Sequence, residues 1–190
     1  DWYAETVGDR LVAWVCDSMR QWLPGTAAVD ILDVGTGNGA WLFAVEARRS
    51  WPGKLVGIDY SESAVELAAS KARHRGSAAT FRTRDLRVPD GDTFSFVHDK
   101  GTYDAFRLSD GGDCATYVRG FLLTTLRPGG CFVVSSCNFT ADELERDLVQ
   151  ASDGLFAVRD RLPHPTFRFG GREGAAVVTL AFSSSSSSTM

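Results

Sequence analysis

Short apolar runs alternate with segments of helical periodicity along this chain, and this alternation limits its possible folds more than any other feature. The predicted strands cover residues 29–35, 54–59, 79–84, 94–98, 131–136, 156–161 and 175–182, and the first four end in or are followed by glycine or an acidic residue. Helices are predicted over about 5–23, 38–49, 61–76, 114–126 and 140–151. Such an alternation is typical of a mostly parallel sheet that is covered by helices on both faces. We therefore expect a doubly wound α/β fold with a seven-stranded sheet.

The last two predicted strands have no helix between them, only a loop that contains two prolines and Gly170-Gly171. Without a crossover helix they cannot be parallel neighbours, so we expect the last strand to run antiparallel. A chain of 190 residues has the length of one ordinary domain. We assign that domain to residues 1–182 and expect residues 183–190, which are almost all serine, to be a disordered tail.

Charge and composition exclude several classes of protein. The net charge of −4 and the absence of a basic run disfavour binding to nucleic acid. No apolar run reaches the roughly 18 to 20 residues that cross a bilayer, so we expect no membrane association. The four cysteines lie far apart and lack zinc-site spacing, which favours reduced intracellular thiols and predicts no bound metal.

The residues suited to ligand binding or catalysis lie where predicted strands end, which is where ligands bind in open α/β sheets. The first strand carries Asp33 and leads into a glycine-rich turn whose backbone amides can approach a ligand closely. Acidic residues follow or end each of the next three strands, and those of the second and third are placed to accept hydrogen bonds from a ribose and from an adenine amino group. The candidate cofactor-binding residues of these four ends are Asp33, Gly35, Thr36, Gly37, Asn38, Gly39, Asp59, Tyr60, Ser61, Asp85, Leu86, Asp99 and Lys100.

The spacing of these residues fits two different cofactors. The stretch Gly35-Thr-Gly-Asn-Gly-Ala40 also fits the G-x-G-x-x-A pattern of nicotinamide dinucleotide sites. A dinucleotide needs a second mononucleotide-binding half, for which the closing antiparallel strands leave little chain. The order of acids after the strands resembles the class I S-adenosylmethionine-dependent methyltransferases, and this resemblance favours S-adenosylmethionine.

Three further stretches narrow the resemblance. Asp99-Lys-Gly-Thr-Tyr-Asp-Ala105, Ser135-Ser-Cys-Asn-Phe-Thr140 with Glu143-Leu144, and 162–174 resemble segments of the elongation factor 1-alpha lysine methyltransferase family. The resemblance covers roughly residues 2–182. It implies a cytoplasmic enzyme, with the nucleus as a second location left open, that methylates a lysine of translation elongation factor 1-alpha. The start of the chain, Trp2-Tyr-Ala-Glu5, resembles the family's Trp-aromatic-Gly-Glu with Ala4 in place of glycine, and it makes Trp2 a candidate wall of the cofactor site.

Methyl transfer to lysine requires a neutral amine in line with the transferred methyl group, so positioning carries most of the catalysis. The candidate catalytic residues are Asp99, Tyr103 and Asn138. Asp99 is placed to orient the ammonium or accept its proton through water, or it only caps the turn after its strand. Tyr103 either walls the lysine channel or packs, and Asn138 either accepts a hydrogen bond from the amine or belongs to a helix cap. His98 is expected to be a packed histidine.

Other functions share parts of this pattern. A small-molecule methyltransferase would use the same cofactor residues, but residues 100–113 leave little chain for a lid over a small acceptor. A nucleic-acid base methyltransferase would show Asn/Asp-Pro-Pro-aromatic where this chain has Asp99-Lys-Gly-Thr. We therefore expect a monomer that acts on a folded basic protein.

Overall fold

The computed structural model describes the backbone of residues 2–48, 53–88, 90–169 and 172–185. Side chains are described in the same ranges, apart from residues 2–7, 166–169 and 172–175.

Nine strands occur in this described part of the chain, and seven of them form the central sheet in the order β3-β2-β1-β4-β5-β9-β6. Strands β1 to β5 are parallel, whereas β9 is antiparallel to both β5 and β6. The predicted α/β sheet with its antiparallel last strand is therefore confirmed. The strand bounds are β1 (Ile31–Val34), β2 (Leu55–Asp59), β3 (Thr80–Thr83), β4 (Phe94–Lys100), β5 (Leu126–Ser136), β6 (Phe156–Leu162), β7 (Thr166–Phe169), β8 (Arg172–Ala175) and β9 (Val178–Ser184).

Helices cover both faces of the sheet. They are α1 (Trp2–Trp22), α2 (Ala40–Arg48), α3 (Glu62–Arg75), α4 (Thr102–Leu108), a π-helical segment (Thr116–Leu122) that continues into the single turn α5 (Leu123–Thr125), and α6 (Ala141–Ala151). None of the helices in the described ranges is long and apolar enough to cross a membrane.

Each face of the sheet has its own apolar core. Val15 of α1 and Leu42 of α2 pack on one face with Phe96 of β4. On the other face Val97 of β4 packs with Tyr117 of the π-helical segment. Consecutive residues of β4 thus face opposite cores, as the two-residue period of a strand requires. This alternation decides which side chains of β4 reach the candidate site.

Several features differ from the sequence-based expectations. Helix α4 lies within residues 100–113, where no element was predicted, because seven residues are too short to display helical periodicity. The loop between β6 and β9 contains a separate hairpin of β7 and β8. Strand β9 continues through Ser184, beyond the expected domain end at residue 182, because backbone pairing with Phe156 needs no apolar side chain. Of the predicted serine tail, residues 186–190 lie outside the described residues.

Candidate active site

The glycine turn between β1 and α2 is the centre of the site. The amide of Thr36 donates to the Ile58 carbonyl (2.9 Å), and the amide of Gly37 donates to Asp59 Oδ2 (2.9 Å), which ties the turn to the end of β2. Gly35 has φ +65°, and a Cβ added there would lie 1.8 Å from Oγ1 of Thr102. A residue without a side chain is therefore required where the turn passes the start of α4.

Two cavities meet at Gly35. The first, of about 400 Å³, lies between α1, the glycine turn and the end of β4, and its lining includes Asp33, Thr36, Gly37, Asn38, Trp41, His98 and Lys100. The second, of about 340 Å³, lies at the ends of β2 and β3 beside α4, and its lining includes Asp59, Tyr60, Arg84, Asp85, Leu86 and Phe106. Both lie at the carboxyl ends of the strands and share Gly35, and we refer to the two cavities together as the cleft.

Asp59 joins the second cavity to the glycine turn. One carboxylate oxygen accepts from the amide of Gly37, and the other accepts from the amide of Ser61 (2.9 Å). Each oxygen has a further lone pair, so this fixed carboxylate can also accept hydrogen bonds from a ligand. Tyr60 is 84% exposed at the rim of the same cavity.

Ser61 and Gly39, both expected at the cofactor site, line neither cavity. Ser61 is the N-cap of α3, where its hydroxyl accepts from the amide of Ala64. Gly39 packs closely against the rings of Phe43 and Phe81. Both residues therefore have structural roles beside the site, and their contact with a ligand stays a prediction.

The end of β3 supplies Asp85 and Leu86 to the second cavity, as expected. Asp85 is exposed, and one of its oxygens accepts from the amide of Arg87 (2.9 Å). Leu86 is partly buried against the second core. Their position is compatible with framing a planar base, and their binding role stays a prediction.

Buried polar groups form the floor of the first cavity. Asp33 accepts from His98 Nδ1 (2.7 Å) at one oxygen and from the Thr36 hydroxyl (2.7 Å) at the other. The His98 ring stacks on Trp41 with centroids 3.8 Å apart and planes 10° apart. His98 is 1% exposed, and its Nε2 has no partner among the described residues. His98 thus lines the cavity, which the sequence did not indicate.

Lys100 lies two residues beyond His98 on β4 and lines the same cavity. It does not pair with the nearby Asp104. Asp104 is instead buried and accepts from the Ser136 hydroxyl (2.6 Å), the Cys137 amide (2.8 Å) and the Asn138 side-chain amide (3.1 Å). The described residues give Lys100 no carboxylate partner.

Asp99 lies on the opposite face of β4 and lines neither cavity. It is fully buried, one oxygen accepts from the amides of Thr102 (2.9 Å) and Tyr103 (3.1 Å), and the other accepts from the hydroxyl of Tyr117. Burial raises the pKa of Asp99 to about 7 against the opposing effect of these hydrogen bonds. The structure thus shows the capping role that was one of the two alternatives for Asp99, and period-two alternation directs its carboxyl away from the cleft, so a contact with the cofactor or the amine finds no support in this geometry.

Tyr103 is also buried away from the cleft. Its ring lies 5.1 Å from that of Tyr117 and 5.4 Å from that of Phe139, measured between centroids. Burial raises the pKa of its hydroxyl well above the ordinary value. The expectation that Tyr103 walls a lysine channel is corrected, because the first turn of α4 directs this side chain into the core.

Asn138 follows β5 and is held by Asp104. Its side-chain nitrogen donates to Asp104 Oδ2, so the amide orientation is fixed and Oδ1 is the atom left to accept. Asn138 is exposed and lines neither cavity, and its proposed contact with an amine stays a prediction. Sequence reasoning missed the anchoring role of Asp104, although Asp104 stands in the Asp99-Lys-Gly-Thr-Tyr-Asp stretch.

Trp2, the expected wall of the cofactor site, begins α1, and its side chain lies outside the described residues.

A second group that the sequence did not indicate lies where β5 meets β9. The hydroxyls of Ser135 and Thr179 are 2.8 Å apart, and Nε2 of His164 lies 2.8 Å from the Thr179 hydroxyl. Ser135 is in register with Lys100 on β4. Burial and the nearby Arg10 lower the pKa of His164. Two contacts between residues distant in the chain assemble this group, and no local motif predicts it.

Comparison with known proteins places this arrangement among methyltransferases. Residues 26–165 match the model of the family described as "Methyltransferase domain". The chain is 33% identical to the protein-lysine N-methyltransferase efm4 of Schizosaccharomyces pombe, over 95% of this chain and 82% of that protein. It is 35% identical to the human EEF1A lysine methyltransferase 2, over 95% of this chain and 74% of that protein.

Solved structures show the same fold at lower identity. The magnesium protoporphyrin IX methyltransferase of Synechocystis, solved with bound SAM, superposes with a TM-score of 0.68 at 18% identity and covers 96% of this chain and 80% of its own.

Proposed function

This chain belongs to the family of protein-lysine methyltransferases that includes efm4 and EEF1A lysine methyltransferase 2, and from that premise we propose that it methylates a lysine of translation elongation factor 1-alpha with S-adenosylmethionine as methyl donor. The observation that carries the proposal is the pair of cavities that flank Gly35 at the carboxyl ends of the strands.

The residues of the cleft fit the two halves of this cofactor. The second cavity offers Asp59 as a fixed acceptor for ribose hydroxyls, and Asp85 and Leu86 for the adenine. The first cavity has polar groups, Lys100 and His98, that suit the charged amino-acid half. Gly35 lies between them, and the space that a Cβ would need there is already filled by Thr102.

S-adenosylmethionine supplies a methyl group on a sulfonium, which is open to in-line attack by a neutral amine. A free lysine has a pKa of about 10.4, so on the order of one in a thousand is neutral at pH 7. The chain's contribution is therefore to hold the amine and to favour its neutral form by desolvation.

Asn138 is the side chain that we assign to the amine. The Asp104 carboxylate fixes its amide nitrogen, so its carbonyl oxygen faces away from Asp104 and is available to orient an N–H of the lysine. The amine's proton then passes to water, since Asp99 is buried on the other side of β4. No dedicated base is needed in this scheme.

The nature of the partner follows from charge. A chain with net charge −4 attracts a basic protein and repels phosphates, and salt weakens this attraction over a Debye length of about 8 to 10 Å. We propose that the monomer meets the elongation factor in the cytoplasm.

The test is methyl transfer in vitro. The protein is incubated with purified elongation factor 1-alpha and labelled S-adenosylmethionine, and the factor is analysed by intact-mass and peptide spectrometry. We expect mass gains of one or more methylene units on a single lysine, abolished when that lysine is changed to Arg. The Asp59→Ala variant serves as the cofactor-binding control. Label transferred to RNA or to a free metabolite, with the factor unmodified, would refute the proposed acceptor.

A further inference from the structure

Two side chains of β4 that line the first cavity each present a polar group without a partner among the described residues. Nε2 of His98 is buried and unpartnered, and Lys100 has no carboxylate partner among the described residues. We propose that this pair recognises the amino-acid half of S-adenosylmethionine, with His98 Nε2 accepting a hydrogen bond from the α-ammonium and Lys100 pairing with the carboxylate. The inference rests on the cofactor named under the proposed function and is independent of the protein acceptor.

The geometry of β4 places both groups on one side of the sheet. His98 and Lys100 are two residues apart in a strand, so their side chains project to the same face, and both line the first cavity. The backbone of β4 is held between β1 and β5, with His98 in register with Asp33 and Lys100 in register with Ser135. The separation of the two groups is thereby set by a central strand and not by a loop.

Asp33 determines which nitrogen of His98 is left without a partner. Its two oxygens are both used as acceptors, one for His98 Nδ1 and the other for the Thr36 hydroxyl. The proton of the imidazole therefore lies on Nδ1, and in the neutral ring Nε2 carries a lone pair that can only accept. Trp41 stacks on the ring and fixes its plane.

The unpartnered nitrogen needs an explanation because buried polar groups are nearly always hydrogen-bonded. Leaving an acceptor unpaired in the interior is unfavourable, and a ligand that donates to it relieves this cost on binding. An ammonium is a strong donor of this kind. The lining of the cavity supplies a lone pair from His98 and a cation from Lys100, which complements the two charges of an amino acid.

Two other groups of the same cavity compete for these roles. Asp9 of α1 lines the cavity with an exposed carboxylate, which is an alternative partner for the ammonium. Trp41 Nε1 is a second buried atom without a described partner, and as a donor it suits the carboxylate and not the ammonium. The burial of His98 favours it over Asp9, because a hydrogen bond to a desolvated group is worth more than one to a group in water.

The assignment is tested by calorimetric binding of three ligands. S-adenosylmethionine carries both charges, decarboxylated S-adenosylmethionine keeps the ammonium alone, and 5′-methylthioadenosine lacks both. His98→Asn is the main variant, since the Asn amide nitrogen takes the place of Nδ1 against Asp33 while Nε2 is lost. Lys100→Met tests the partner of the carboxylate, and Asp9→Asn tests the competing partner of the ammonium.

We expect His98→Asn to weaken binding of both ammonium-bearing ligands by about tenfold to a hundredfold, the range for a hydrogen bond to a charged group. Methylthioadenosine should bind it as it binds the wild type, which also shows that the variant is folded. Lys100→Met should weaken S-adenosylmethionine alone, and Asp9→Asn should change none of the three affinities.

Several results would overturn the assignment. Loss confined to S-adenosylmethionine in His98→Asn would place His98 on the carboxylate. If Asp9→Asn alone lost affinity for both ammonium-bearing ligands, Asp9 and not His98 would be the partner of the ammonium. An equal loss of affinity for all three ligands in His98→Asn would show that His98 only packs beside the site. Wild-type protein that binds none of the ligands would refute the proposed function itself, whereas failure to methylate the elongation factor would leave these binding results intact.

Discussion

His98 and Asp99 are consecutive residues of β4, and their side chains lie on opposite faces of the central sheet. His98 stacks on Trp41 and lines the first cavity, whereas Asp99 is hydrogen-bonded to Tyr117 of the π-helical segment. Asp99 was the candidate catalytic residue in the sequence, yet its side chain is the one directed away from the cleft. Asp99 therefore contributes to the fold beneath the site, and substitutions there test stability before they test catalysis.

We predict that Asp99→Asn changes the pH dependence of stability. Burial raises the pKa of Asp99 from 3.8 to about 7, so between these values the folded chain binds a proton that the unfolded chain releases. Its contribution to stability is full below about pH 4 and is lost as the pH rises through about 7. Asparagine does not ionise, so the variant should gain stability over the wild type by up to a few kcal/mol at pH 9 and least at pH 4. Thermal unfolding at several pH values measures this, and a difference that is constant with pH would contradict it.

The same variant separates a structural role of Asp99 from a catalytic one. If Asp99 only caps α4, Asp99→Asn should keep the kcat for methyl transfer within about threefold of the wild type. A fall of a hundredfold or more in a variant that is folded and binds cofactor normally would show that the carboxylate acts in the transfer.

The requirement for glycine differs along the turn. Gly35→Ala places a Cβ against Oγ1 of Thr102, which is itself held by a hydrogen bond to the Val34 carbonyl (3.0 Å). Gly37 also has positive φ, but a Cβ there meets nothing within 4 Å. Both variants bear the strain of positive φ, and Gly35→Ala should be less stable than Gly37→Ala by about 1 to 3 kcal/mol, as for overpacking.

Chemical denaturation of the two variants checks this order. Thr102→Ala removes the clashing hydroxyl, so a double-mutant cycle of Gly35→Ala with Thr102→Ala should show a favourable coupling. Additive effects would mean that Thr102 does not enforce the glycine.

The sequence predicted the sheet and the edge that carries the site, because hydrophobic period and strand-end acids are local patterns. It did not resolve the faces of β4, because both faces of this central strand are buried and its residues show no alternation of apolar and polar character; the strand was also expected to end at His98, whereas it runs through Lys100. The sequence also did not predict the hydrogen-bond partners of buried polar groups. Asp104 anchors Asn138 across 34 positions, and no local spacing encodes such a contact.

Asp59 should be essential for cofactor affinity. The carboxylate holds the amide of Gly37 and lines the second cavity, so Asp59→Ala removes both a ligand acceptor and a support of the glycine turn. We expect S-adenosylmethionine to bind about tenfold to a hundredfold more weakly. Ser61→Ala is the matched control, since Ser61 lines neither cavity and caps α3. Calorimetry in which Asp59→Ala binds like the wild type, or NAD(H) binds more tightly than S-adenosylmethionine, would contradict the assignment.

The last prediction concerns the acceptor side of the site. Asn138→Ala removes the carbonyl that we assign to the amine, and Asp104→Ala releases the amide that Asp104 holds. Both variants should lower the kcat for lysine methylation, by about tenfold or more for Asn138→Ala if its hydrogen bond strengthens as the amine is oriented. Neither residue lines the cleft cavities, so S-adenosylmethionine affinity measured by calorimetry should stay near that of the wild type.

The Asn138→Asp variant tests whether Asn138 orients the amine or only shapes the turn before α6. The new carboxylate would stabilise the ammonium form of the lysine and would lie beside the buried Asp104, so the optimum for methylation should shift to higher pH. A pH profile identical to that of the wild type, together with full activity of Asn138→Ala, would show that this residue only shapes the turn before α6. In that case the Ser135, Thr179 and His164 group at the end of β5 becomes the next set of side chains to test for contact with the amine.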